Sequence, residues 1–239
     1  MKMGELIKEY ISFTYFYPED QNGKPLFPYF TNKGLMYGAD DYALDPDVFA
    51  WRYLNSYAST ALDYEFNSAQ EGTLHEIEFL SPYTRRDDNI GSYTTFLQGY
   101  IFVKSGFSIP WQKMLREIQI GGERKTGWGK LRLQGEPVVT TNLFDLLECD
   151  FTTDRPRVKV EFGKPLLAHT LVNKTNNISK DLFQVSGEVE PLVSRAWAQD
   201  KGAGKLVELI AICYLPGSIL TSNTIQWFEF NRDCLWVTK

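Results

Sequence analysis

The stretch IGGERKTGWGK, residues 120–130, packs four glycines, four charged residues and one tryptophan into eleven positions. Gly121, Gly122, Gly127 and Gly129 allow the backbone to reach positive φ and to approach a ligand with no Cβ in the way, which turns N–H groups toward an anion. Arg124, Lys125 and Lys130, with Thr126 among them, supply charge for phosphate, and Trp128 supplies a ring on which a base can stack. Phosphate charge and base stacking are the two terms that dominate single-stranded nucleic-acid binding. The Walker pattern fails, because Gly122 and Gly127 are correctly spaced but Trp128 stands where lysine must be. No G-x-G-x-x-G occurs, and the loop precedes a strand where a dinucleotide loop precedes a helix. Nucleotide cofactors are thereby excluded, and no cofactor is expected. The alternative is a glycine-rich turn carrying a solvated charge run.

General-base chemistry has only two histidines to draw on, His75 and His169. Each sits among apolar neighbours in a strand-like run, the setting of a hydrogen-bonded structural histidine more often than of a base. Lys33, in TNKGLMYG, and Arg85, in the polar connection between two strand-like runs, are further candidates for phosphate contact, with ordinary surface charge as the alternative. Scattered carboxylates such as Asp87 and Asp88 show no ligand spacing, so no metal site is expected. Cys149, Cys213 and Cys234 are odd in number and lack a C-x-x-C pair, which argues for reduced thiols.

The net charge of −5 does not advertise a nucleic-acid-binding protein. Its distribution does more: the segment 113–132 carries six basic residues against Glu117 and Glu123, a local charge of +4 on a chain that is otherwise −9. A basic site on an acidic protein fits a subunit of a larger assembly. The N-terminal MKMGELIKEY is charged where a secretory signal needs an apolar core, no window approaches a membrane span, and a cytoplasmic location is expected.

These residues must be positioned by a fold. The β-branched and aromatic run at 7–17 predicts a strand. Asp45 and Pro46 mark a helix start, and apolar residues at helical spacing predict a helix over 46–62. TLHEIEFL (73–80) and TFLQGYIFV (95–103) predict strands, IPWQKMLREIQI an amphipathic helix, and KLRLQ a strand after the glycine loop. The order βαββαβ predicts an α+β chain, with a ferredoxin-like or RRM-like domain over residues 1–134. Residues 135–239 read as a β-rich second domain or an elaborated second RRM-like half.

GGERKTGWGKL, placed between a helix and the last strand of such a unit, resembles the glycine-rich loop of the RAMP superfamily of CRISPR-associated proteins. Within it the chain looks most like the type III effector subunit that caps the 5′ handle of the guide RNA. LPGSIL (215–220) and GEVEPLVSRAW (187–197) resemble the β-rich second half of such subunits more weakly. The resemblance implies a non-catalytic RNA-binding subunit in antiviral defence, whose partners are the single-stranded handle of a CRISPR guide RNA and other effector subunits, with no membrane. Two alternatives stay open: a metal-independent endoribonuclease of CRISPR repeat RNA with His75 or His169 as base, and a scaffold that contacts protein only.

Overall fold

The computed structural model describes residues 3–172, 183–198, 202–223, 225–231 and 233–238, which form an α+β fold of short helices and many strands. Its largest element, among the described residues, is an eight-stranded sheet in the C-terminal half. In spatial order it runs Asn142–Leu143, Leu147–Asp150, Arg157–Val160, Gln226–Phe230, Trp236–Val237, Thr170–Leu171, Gly202–Tyr214 and Val189–Ala198. Period-two alternation builds it. Val158 stands opposite Phe228 and both are fully buried, as are Val160 and Phe230. Each such side chain contributes roughly 1.5–3 kcal/mol by leaving water. The β-rich character expected beyond residue 134 is therefore present.

The N-terminal half differs from the expected domain. Its strands pair two by two: Ile11–Phe13 with Ile101–Val103, Leu54–Ser59 with His75–Leu80, and Glu117–Gln119 with Lys130–Arg132. No four-stranded sheet joins them among the described residues, so the βαββαβ order does not close into one sheet. The run at 7–17 divides into a Met3–Tyr10 helix and an Ile11–Phe13 strand. Leu6, Ile7 and Tyr10 make a half-buried helical stripe while Glu5, Lys8 and Glu9 face solvent, and Tyr10 stacks on Phe107.

The helix expected over 46–62 ends at Tyr53, and Leu54–Ser59 continues as a strand. Asn and Ser at 55, 56 and 59 are weak helix formers, and extension gives the segment a six-residue antiparallel register with His75–Leu80. Similarly, the amphipathic helix after Ser108 covers only Trp111–Leu115, because Glu117–Gln119 pairs with Lys130–Arg132. The run at 95–103 breaks into Leu97–Gln98 and Ile101–Val103 around Gly99, where a Cβ would lie 2.5 Å from the Phe16 ring.

The principal core draws on both sides of residue 134. Tyr17, Phe27 and Phe102 pack in one cluster with Leu143, Val158, Phe228 and Trp236. Phe102 lies 4.8 Å from Phe230 between ring centroids, and the Tyr17 hydroxyl donates to the Leu167 carbonyl at 2.8 Å. LPGSIL has a structural role here: Gly217, at φ +95, accepts from Phe30 N–H at 2.9 Å, and a Cβ on it would lie 2.8 Å from the Pro28 carbonyl carbon. A smaller cluster of Leu26, Phe49 and Tyr53 anchors the helix that leads into the Leu54–Ser59 strand.

That helix begins as its sequence predicts. Asp45 is extended, and its carboxylate accepts from the Asp47 N–H at 2.9 Å, ahead of Pro46. Replacing Asp45 by alanine is expected to lower stability by about 0.5–2 kcal/mol, read by thermal denaturation; an unchanged melting curve would remove the cap from the account.

Candidate nucleic-acid interface

The glycine loop is the turn of the hairpin formed by Glu117–Gln119 and Lys130–Arg132. Gly121, Gly127 and Gly129 take positive φ, as does Glu123, and Arg124–Thr126 make one 3-10 turn. Gly129 has no substitute: its φ is +75, and a Cβ there would fall 1.7 Å from the Ile120 carbonyl oxygen. The loop is closed by its own bonds. Ile120 N–H donates to Gly129 at 2.9 Å, Gly127 N–H to Arg124 at 3.1 Å, and the N–H and hydroxyl of Thr126 both reach the Glu123 carbonyl. The Gln119 side-chain amide then donates to the carbonyls of Arg124 and Trp128, each at 2.8 Å. These bonds fix the shape of the loop, and the side chains of Arg124, Lys125 and Lys130 stand exposed on it for contact with an anion.

Trp128 neither enters the core nor stands free. Half-buried, it lies against Phe79 with centroids 4.6 Å apart and against Tyr57 at 5.9 Å. Tyr57 and Phe79 belong to the hairpin of Leu54–Ser59 and His75–Leu80. In its register Asn55 opposes Phe79, Tyr57 opposes Ile77 and Ser59 opposes His75, so these side chains share one face. Arg85 joins it, its guanidinium donating to the Asn55 side-chain oxygen at 3.5 Å. At the other end of the face His75 approaches the Glu123 carboxylate, 3.8 Å away, with both groups exposed.

Among the sequence-predicted positions, then, Arg85, His75, Trp128 and the loop residues Gly121–Lys130 come together. Lys33 does not: it is exposed at the tip of the Pro28–Thr31 and Gly34–Tyr37 hairpin, and no hydrogen bond or ion pair ties it to the loop among the described residues. His169 lies elsewhere, with both ring nitrogens engaged. Nδ1 meets the Tyr15 hydroxyl in a short hydrogen bond and Nε2 meets the Glu190 carboxylate at 2.6 Å, with the side chain only 13% exposed. Burial raises the Tyr15 phenol above its ordinary range, which suits a donor to the imidazole. Burial likewise pushes the Cys149 thiol up to about 12, the mark of an inert cysteine.

Sequence reasoning missed Tyr57, Phe79, Asn55 and Gln119. Tyr57 and Asn55 were hidden inside an expected helix, and Gln119 at the end of another.

None of the six cations at Lys113, Arg116, Arg124, Lys125, Lys130 and Arg132 forms an ion pair among the described residues. Elsewhere Arg52 pairs with Asp87, Lys104 with Asp154, Arg157 with Asp150, and Lys159 with Glu148 and Glu161. Among the described residues no group of three or more His, Cys, Asp and Glu side chains is placed to hold a metal, and no helix is long and apolar enough to cross a membrane. No protein-family model, curated protein or solved structure gives a significant match to the chain.

The closure of the loop depends on Gly129. Gly129→Ala is expected to open the hairpin end and accelerate amide hydrogen exchange at Ile120, measured by NMR; exchange at the unaltered rate would show that the loop tolerates a side chain there.

Proposed function

We propose that this chain is a non-catalytic RNA-binding subunit of a type III CRISPR effector complex, holding the 5′ handle of the guide RNA on the glycine loop. The observation that carries this reading is the surface just described: a half-open tryptophan backed by Phe79 and Tyr57, with Arg85 on the same face and three unpaired cations on the loop. An aromatic platform beside free positive charge is what a single strand needs, a ring for the base and cations for the phosphates. The resemblance to RAMP proteins adds the identity of the RNA. In support of it, the loop does follow a short helix and join two strands, although the strands of this half pair two by two where that family's sheet joins four. Partner subunits have a surface suited to them in the long Val189–Ala198 and Gly202–Tyr214 hairpin, where Val193, Val207 and Leu209 are exposed.

The expected measurements separate stacking from charge. Trp128→Ala should weaken single-stranded RNA binding by about 1–3 kcal/mol, while Trp128→Phe, which keeps a ring against Phe79, should recover part of the loss. Arg124→Ala and Lys125→Ala should each reduce the salt slope of log affinity by roughly 0.7. Affinity and slope unchanged in all these variants would place the RNA elsewhere.

One observation favours a second reading, cleavage of repeat RNA: His75 is exposed beside Glu123 on the same face, so a base could reach a 2′-hydroxyl of bound RNA. Under the non-catalytic reading the purified chain leaves repeat RNA intact. Cleavage that is lost in His75→Ala would establish the nuclease instead.

A further inference from the structure

Five of the six unpaired cations fall into two groups, and the sixth, Lys130, lies between them. Arg124 and Lys125 ride on the loop, whereas Lys113, Arg116 and Arg132 line an open cleft of about 490 Å³ at the base of the same hairpin, with Gln112, Glu117 and Glu136. The short Trp111–Leu115 helix and the residue that ends it supply one wall, and the Lys130–Arg132 strand supplies the other. Local structure decides which side chains meet there. Glu117 opposes Arg132 and Gln119 opposes Lys130, so these four share a face, while half-buried Ile118 and Leu131 occupy the opposite one.

Lys130 therefore connects the two groups. It lies on the cleft's face of the hairpin, two residues from Arg132 and immediately after the loop. Two residues along a strand span about 7 Å, a separation comparable to that of neighbouring phosphates in an extended single strand. A strand with a base on Trp128 thus meets cations in succession at the loop, at Lys130 and at the cleft. Inside the cleft three cations face two carboxylates, an excess of one positive charge. That balance matches a singly charged phosphodiester better than a doubly charged terminal phosphate. Arg116 and Arg132 can each present a planar fork of N–H donors to such a group.

We infer that the cleft is a second phosphate site on the RNA path, holding an internal phosphodiester of the strand between Arg116 and Arg132. The inference rests on the RNA-binding reading and extends it from a stacking point to a track with a direction. The full chain, a long oligouridylate and a trinucleotide suffice for the test. In Arg116→Gln/Arg132→Gln the salt slope for the long RNA should fall by about 0.7, while trinucleotide binding, which needs only the loop, stays at the wild-type value. Arg116→Lys/Arg132→Lys should keep the wild-type slope. Should the glutamine pair destabilise the fold, Arg132→Glu alone, altering one exposed side chain, reads the same slope. A wild-type slope in the glutamine pair, with Trp128→Ala still impaired, overturns the cleft and leaves the loop standing. No RNA binding by the wild-type chain overturns both.

Discussion

Trp128 rests on Phe79 at 4.6 Å and on Tyr57 at 5.9 Å, and that contact ties the glycine loop to a second hairpin with which it shares no strand pairing. Everything in the candidate site takes its place from it. With the indole seated, Gln119 can hold the carbonyls of Arg124, which opens the 3-10 turn, and of Trp128 beyond it, and Arg124 and Lys125 are carried to solvent instead of folding back on Glu117 or Glu123. The indole contact also decides how much of the ring is available. Its supporting aromatics cover part of it, which fixes the ring's orientation at little entropic cost to a later ligand.

The two hairpins are themselves held by a core that ignores the division expected near residue 134. Tyr53, fully buried beside Leu26 and Phe49, fixes the start of the Leu54–Ser59 strand. Tyr17, Phe27 and Phe102 join the cluster of the eight-stranded sheet, and Gly217 brings a loop of the C-terminal half against Pro28. The Tyr15, His169 and Glu190 chain of hydrogen bonds crosses the same divide. Such fully partnered polar groups specify a unique packing more than they add net stability.

How far this was legible from sequence depends on the range of the interaction. Local signals were sufficient for the Asp45 cap, for the strands at 75–80 and 130–132, for the β-rich character beyond residue 134 and for the turn character of the glycine loop. They failed where one apolar pattern serves two periods. Leu54 and Ala58 continue the helical spacing of Val48 and Trp51, yet register with HEIEFL, some twenty residues on, made the segment a strand. Ile118 likewise fits a helix stripe and a strand face equally well, and pairing with Leu131 decided it. For the site, composition pointed to the loop, its cations and Trp128, while the aromatic seat came from a strand register that no local window contains. Lys33 was singled out by charge alone, and charge says nothing of distance.

On the reading proposed above, single-stranded RNA lies on the face made by Trp128, Tyr57 and Phe79. Ultraviolet crosslinking of bound RNA, with the modified peptides mapped by mass spectrometry, tests it most directly, because bases that stack on aromatic rings crosslink to them. Adducts are expected on the peptides carrying Trp128 and Tyr57. Crosslinks confined to other surfaces, with these peptides unmodified, would contradict it.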